Sequence, residues 1–232
     1  MNAPADLNRL AGLYQWMEYA TFGPWLSWCR TAYLAELRSC RRALVLGDGD
    51  GRFTARLLRA NPQVEVDAVD ASTAMLRALV RRAGPHAGRV RAHCADARLW
   101  EHANAPYDLV AAHFFLDFLT TEEVRALART LRGAVSAGAL WVVSEFAIPE
   151  SGFGRLAARP VVAGLYFGFR RLTGLAVRKL PDHRGALSEA GFLLARRRPR
   201  LGGLLVSELW TVEAEKPVQR PAEDVPDPVI QP

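Results

Sequence analysis

Cysteine is scarce in this 232-residue chain, with only Cys29, Cys40 and Cys94, unevenly spaced and with no Cys-x-x-Cys pair. That excludes a disulfide framework and leaves buried or neutral thiols, as expected of a soluble chain in a reducing, cytoplasmic compartment. No apolar run approaches the roughly 20 residues of a membrane span, and the amino terminus lacks a basic start followed by an apolar signal core. His86, His93 and His102 have no metal-like spacing, so no metal is expected. The formal net charge is +6, carried nearly all by arginine, but the arginines fall in scattered pairs (Arg41-Arg42, Arg81-Arg82, Arg170-Arg171) instead of one strip, which argues against nucleic acid as a partner. The densest group, Arg196 to Arg198 with Arg200, abuts an expected hairpin turn at Gly202-Gly203. No internal repeat is evident.

Half of the composition is hydrophobic, enough at this length for one well-buried α/β domain with a modest appendage. Its most informative segment is Arg42-Ala-Leu-Val-Leu-Gly47-Asp48-Gly49-Asp50-Gly51, an apolar strand ending in three glycines at alternate positions. Such spacing lets a backbone turn sharply while passing close to a ligand. A second apolar strand, Val64 to Val69, ends in the carboxylate of Asp70. Neighbouring strands of an α/β sheet would bring the glycine turn and this acid to one crevice, where ribose hydroxyls can be gripped. The spacing is Gly-x-Gly-x-Gly, not the Gly-x-Gly-x-x-Gly of a dinucleotide site, and Asp48 and Asp50 lie between the glycines. Two carboxylates inside a phosphate cradle would repel its guest, each contact costing on the order of a kcal/mol or more at an effective dielectric of about 20. A phosphate-free ligand with a positive centre fits better.

On these residues the chain resembles the class I S-adenosylmethionine-dependent methyltransferases. The resemblance continues through Arg89 to Ala97 as third strand, Pro106 to Phe115 as fourth, Ala139 to Phe146 as fifth, and Ala190 to Phe192 with Leu204 to Trp210 as the closing pair. It implies a Rossmann-like, seven-stranded, mostly parallel sheet with an antiparallel last strand, helices on both faces and helical cover elements. It also implies S-adenosylmethionine as cofactor, a small, apolar or aromatic methyl acceptor, and a monomer or homodimer. Carried onto this sequence, Gly47, Gly49 and Gly51 would approach the amino-acid tail and ribose, and Asp70 would bind the ribose hydroxyls. Asp96 would contact the adenine, with Ala71, Met75 and Ala97 beside the ring. The family commonly has an acid two positions before the first glycine; here Val45 stands there, and Asp48 is the candidate to meet the ligand's ammonium group. Gly49-Asp50-Gly51 also resembles the spermidine synthases, so an aminopropyltransferase is the alternative enzyme. A cofactor-binding partner subunit without catalysis is the alternative outside enzymes.

Expected organisation follows the pattern of apolar residues. Residues 1–40, rich in aromatics such as Tyr14 and Tyr19, form a helical cap, with one helix over 25–37, that either packs on the sheet or closes over the site. Residues 41–215 form the cofactor-binding domain, with helices over 52–60, from the Ser72 cap to Gly84, and after the Thr120/Glu123 capping box. A covering insertion over 150–180 carries an amphipathic helix with Tyr166, which covers the acceptor, caps the core or touches a membrane surface. Residues 216–232 are a Pro-rich tail too poor in apolar residues to fold.

Methyl transfer from a sulfonium needs chiefly that two reactants be held in line, and a general base only if the acceptor carries a proton. His113, at the end of the expected fourth strand, is the candidate base or cofactor contact, or a hydrogen-bonded rim residue; Asp117 would orient it or act alone. Tyr14, Tyr19, Tyr166 and His183 are the candidate acceptor contacts. Glu65 and Asp67 alternate with core positions and read as surface or edge residues.

Overall fold

The computed structural model describes residues 24–100, 106–147 and 180–213. Tyr14, Tyr19, the insertion with Tyr166 and the tail from 216 lie outside the described residues. Helix α1 (24–31) leads through turns to β1 (Arg42–Leu46), α2 (Arg52–Ala60), β2 (Glu65–Asp70), α3 (Thr73–Ala83), β3 (Val90–Cys94), β4 (Tyr107–His113), α4 (Thr121–Ala134), β5 (Val135–Phe146), α5 (His183–Glu189), β6 (Phe192–Arg200) and β7 (Leu205–Val212). The strands form one seven-stranded sheet ordered β3-β2-β1-β4-β5-β7-β6, parallel except for β7. This is the Rossmann-like architecture expected. From β1 the chain winds outward to β3, then returns to β4 on the other side of β1, so the carboxyl ends of β1 and β4 flank the switch point where such sheets bind ligands.

Both faces of the sheet are covered, which is why β1 and β4 read as continuous apolar runs. One face packs Val45, Leu109, Ala111 and Val142 against Phe53, Leu57 and Leu79 of α2 and α3 and against Tyr33 and Leu37. The other packs Val110, Ala112, Trp141 and Val143 against Val124, Leu127 and Leu131 of α4 and Leu187 of α5. There Phe192 meets the Trp141 indole edge-on at 5.0 Å.

Three expectations are corrected. The helix expected over 25–37 ends at residue 31, because Thr31 Oγ1 donates back to the carbonyls of Ser27 (3.0 Å) and Trp28 (3.3 Å) and the following amides reach back only three residues. Strand β5 starts at Val135, not Ala139, with an irregular register beside β4 and Gly138 at φ 74°. Asp67 is buried: its carboxylate meets His93 Nε2 at 2.8 Å and accepts from the Tyr107 hydroxyl at 3.1 Å. Strict alternation exposes a face only when one side of a sheet is bare, and β2 has both sides covered.

The helices start where the sequence places their caps. Ser72 accepts from the Met75 amide (3.3 Å), and Thr120 and Glu123 form the reciprocal capping box. The dense arginine group sits on β6 and is bound inward: Arg196 pairs with Glu36, Arg198 lies 4.6 Å over Tyr33, and Arg200 lies 3.8 Å over Trp28. These contacts dock α1 and its turns onto the sheet edge. Among the described residues no helix is long and apolar enough to cross a membrane. Thr120→Ala removes one half of the capping box and is expected to lower the unfolding free energy by about 1 kcal/mol in urea titration, with Thr120→Ser retaining most of it.

Candidate functional site

The turn from β1 to α2 takes a left-handed step at each of its glycines, with φ of 61° at Gly47, 58° at Gly49 and 82° at Gly51. The outer two are demanded by the protein itself. A Cβ on Gly47 would lie 2.3 Å from the Phe115 ring, and one on Gly51 would lie 2.7 Å from the Leu79 Cα. At Gly49 the nearest atom is Met75 Sδ, at 3.8 Å. Among the described residues no packing demands the middle glycine; its left-handed φ does, and the space beside it is the cradle of the turn. Asp70 faces this cradle. Its carboxylate accepts from the amide of Ser72 (2.8 Å) and from that of Gly49, and burial raises its pKa against the pull of these two bonds. The Gly47 amide donates to the Val69 carbonyl at 2.9 Å, tying the turn to β2.

Asp48 and Asp50 are directed away from the cradle, which corrects the repulsion argument drawn from their spacing. Asp48 accepts from the amides of Phe53 (3.2 Å) and Thr54 (2.8 Å) and from the Thr54 hydroxyl (2.7 Å), so it caps α2 from within the turn. Asp50 accepts from Arg52 (3.2 Å) and Arg82 (2.5 Å), joining the turn to α3. A phosphate is still disfavoured, for a different reason: the first amides of α2, the donors a pyrophosphate would need, already bind the Asp48 carboxylate.

Beyond β4 the polar groups separate onto the two faces of the sheet. His113, on the α1 side, is 5% exposed. Ser144 directs its proton to the Cys29 carbonyl (3.1 Å), so His113 is assigned as the Nδ1–H tautomer donating to Ser144 Oγ (2.9 Å). Its unprotonated Nε2 is buried without a hydrogen-bond partner among the described residues. Burial, then the nearby Arg30 charge, lowers the His113 pKa to about 3. It is a neutral acceptor at physiological pH and a weak base.

Asp117 follows two residues after Phe115, whose ring abuts Gly47. Close to it is Glu145 at the end of β5, 1% exposed, whose Oε1 accepts from the amides of Phe115 (3.1 Å) and Leu116 (2.8 Å). The Asp117 amide also donates to this carboxylate, and Oε2 has no hydrogen-bond partner among the described residues. Burial pushes the Asp117 pKa up to about 7, with the His183 charge pulling it down, while Glu145 is raised by burial and by the Asp117 charge. The two carboxyls form a pair in which one proton is retained near neutral pH. Sequence reasoning missed Glu145, although an acid directly before the end of an apolar strand is a signal that could have found it. His183, expected at the acceptor, is also buried here; its Nε2 meets Glu208 at 3.1 Å, and Glu208 accepts from Trp210 Nε1 at 3.1 Å.

The expected adenine contact, Asp96, lies just beyond β3 in an ion pair. Asp96 is gripped by Arg98 through Nε (2.9 and 3.0 Å) and Nη2 (2.5 Å), which lowers its pKa, and Arg98 also binds Glu123. An adenine amino group at Asp96 would share a carboxylate already holding Arg98. Ala97 is packed into the core beside α4, Ala71 is exposed with its carbonyl 3.7 Å from Cys94 Sγ, and Met75 lies beside Gly49. Among the described residues no group of His, Cys, Asp and Glu could hold a metal ion.

Residues 43–138 match a family model described as a methyltransferase domain. A malonyl-[acyl-carrier protein] O-methyltransferase of Halorhodospira halophila is 40% identical over 78 residues, which are 34% of this chain and 26% of that protein. Among solved structures, an O-methyltransferase family protein from Burkholderia thailandensis superposes with a TM-score of 0.69 at 16% identity, covering 90% of this chain and 61% of that one. The S-adenosylmethionine-dependent methyltransferase SibL does so with a TM-score of 0.58 at 25% identity, covering 82% and 57%. The chain thus spans less than two thirds of each relative's own length.

The carboxyl pair has a consequence for stability. Between the ordinary Asp value of 3.8 and about 7 the folded chain holds a proton at Asp117 that the unfolded chain releases, so stability falls as pH rises through that window. Asp117→Asn, which cannot ionise, is expected to flatten this slope in denaturant titrations at pH 5, 6, 7 and 8.

Proposed function

We propose that this chain, whose residues 43–138 match a methyltransferase domain, is a class I S-adenosylmethionine-dependent methyltransferase that transfers the methyl group to an oxygen of a small, apolar or aromatic metabolite. The observation that carries the reading is the pairing of Asp70 with the Gly49 amide in a left-handed turn where, among the described residues, a Cβ on Gly49 would meet nothing nearer than Met75 Sδ at 3.8 Å. A carboxylate there suits the vicinal hydroxyls of a ribose, and the capped amino end of α2 suits a nucleoside without phosphate. Oxygen as the methylated atom is supported by the names of the H. halophila and B. thailandensis relatives.

When bound, S-adenosylmethionine supplies a methyl group on a cationic sulfonium that leaves as a neutral thioether. Gly49 and Asp70 would hold the nucleoside, with Met75 as its apolar neighbour. Asp117 would take the proton from the acceptor hydroxyl: its raised pKa matches neutral pH, whereas His113 is too weak a base for the task. Glu145, pinned by successive amides, would hold the Asp117 loop in place. The apolar floor around Phe115 and Leu116 excludes water from the carboxyl pair.

Isothermal titration with S-adenosylhomocysteine tests the cofactor assignment. The wild type is expected to bind, and Asp70→Ala to bind on the order of ten- to a hundred-fold more weakly. No wild-type binding, or undiminished binding by the variant, would overturn it. With an acceptor in hand, kcat is expected to rise with pH through about 7, the value to which burial pushes Asp117, and Asp117→Asn to lose that limb along with most of the rate.

A further inference from the structure

We propose that the outer faces of α2 and α3 form a basic surface through which the protein docks on an anionic lipid bilayer. The inference goes beyond the function proposed above and stands without the cofactor reading.

Helices α2 and α3 together carry six arginines, Arg52, Arg56, Arg59, Arg77, Arg81 and Arg82, and no aspartate or glutamate. Along the chain these residues are scattered, and the fold gathers them. Both helices turn their apolar sides to the same face of the sheet, through Phe53, Leu57, Leu76 and Leu79, so their arginines are left on the outside. Arg52, Arg56 and Arg59 recur at i, i+4 and i+7, which is one stripe of α2. Asp50 joins that stripe to α3, accepting from Arg52 at 3.2 Å and from Arg82 at 2.5 Å. Among the described residues it is the one carboxylate within ion-pair distance of the six. Arg59, Arg77, Arg81 and Arg82 are exposed. Burial, and then the charges of Arg30, Arg52, Arg59 and Arg82, hold the Arg56 guanidinium below its ordinary value, as a positive field shared between the helices requires. Helix α4, on the other side of the sheet, is mixed in sign, with Arg125 paired to Glu122 and Glu189.

A field of one sign attracts an extended anion, and the makeup of the face selects which. A folded protein partner draws its affinity from an apolar centre. The exposed large apolar side chains among the described residues are Trp25, Leu99, Leu193 and Leu201, and none lies on α2 or α3. A single nucleic-acid strand stacks its bases on aromatic rings, whereas Phe53, the one aromatic of these helices, is buried. A plane of lipid phosphates needs neither feature, and each arginine near it strengthens binding about five-fold. Trp25 adds what a membrane uses besides charge. It is 44% exposed in the first turn of α1, two residues before Ser27, whose hydroxyl accepts from Arg56 at 2.6 Å. A tryptophan beside a basic face suits the headgroup level, where its ring is half in apolar surroundings. An apolar acceptor of the kind proposed above partitions into the same bilayer, and Arg52 directly follows Gly51 of the cradle turn.

Co-sedimentation of the full chain with vesicles of phosphatidylcholine alone, and of an equimolar mixture with phosphatidylglycerol, tests this. Wild type is expected to bind the mixed vesicles on the order of a hundred-fold more tightly. It should be released as salt rises from about 0.1 M to about 1 M, where the screening length falls from about 10 Å to about 3 Å. Arg59→Gln/Arg81→Gln is expected to bind the mixed vesicles on the order of twenty-fold more weakly, and Arg59→Lys/Arg81→Lys within about two-fold of wild type. Arg129→Gln/Arg132→Gln removes the same charge from exposed positions of α4 and is expected to stay within about three-fold of wild type. Equal wild-type binding to both vesicles, a glutamine pair on α2 and α3 that binds as wild type does, or an equal loss in the α4 variant overturns the proposal. Wild type that ignores both vesicles overturns it too, and binding of a labelled DNA duplex or of polyglutamate would then assign the face to another partner. Should Arg59→Gln/Arg81→Gln not fold, Arg59→Gln/Arg77→Gln gives the same comparison, and failure of both to fold makes these arginines part of the framework and overturns the proposal. No arm contains a methyl donor, so failure here and failure of the cofactor assignment are separate results.

Discussion

The Asp48 carboxylate at the amino end of α2 governs how the candidate site is built. A helix that starts directly after a strand leaves unsatisfied amides at the sheet's carboxyl edge, where anionic ligands of related folds bind. Here those amides are satisfied from inside, by an aspartate held in the turn by the flanking left-handed glycines. With the helix end closed, the carboxylate that faces the turn from the β2 side is that of Asp70, with the Gly49 amide against it. Packing enforces the same geometry from both flanks: the Phe115 ring occupies the space beside Gly47 and Leu79 that beside Gly51. The residues that shape the cradle are therefore also the ones that hold α3 and the loop after β4 against β1.

At the carboxyl ends of β4, β5 and β7 the apolar layers give way to buried polar groups, and the two faces differ in kind. On the α1 side His113, Ser144 and Ser207 gather around the Cys29 carbonyl as a neutral network. On the α4 and α5 side Asp117 lies between Glu145 and His183, His183 meets Glu208, and Arg197 is 3.3 Å from Glu208 at the rim. Burial of carboxyls is costly unless they are neutralised or hydrogen-bonded, and both remedies are present: successive amides hold Glu145, and a retained proton quiets the pair. A pair so placed responds to pH near neutrality.

The excess of positive charge has an internal use. Arginines of β6 hold Glu36 and lie over Tyr33 and Trp28, Arg82 and Arg52 hold Asp50, and Arg89 donates to the carbonyls of Leu58, Asn61 and Val64. Guanidinium suits these tasks because its fork reaches several acceptors and its plane stacks on aromatic rings. A chain that reads as basic by composition thus spends much of that charge joining its own elements.

Periodicity and capping make the strands, the central helices and the hairpin at Gly202-Gly203 legible in the amino-acid sequence, because those signals are local: residues a few positions apart decide them. The glycine turn and Asp70 are legible for the same reason, since adjacent parallel strands need only a short crossover to meet. Side-chain direction is not. Asp48 and Asp50 turn away from the cradle, Asp96 is claimed by Arg98, Asp67 is buried behind β3, and Glu145 meets Asp117 only because β5 lies beside β4. The sequence alone determined where the backbone turns and which strand ends carry acids, since these depend on glycine conformations and on spacing along one segment. Only the tertiary structure decided which of those acids face the cradle and which are buried as a pair, because each is settled by a partner distant in sequence that competes for the same carboxylate.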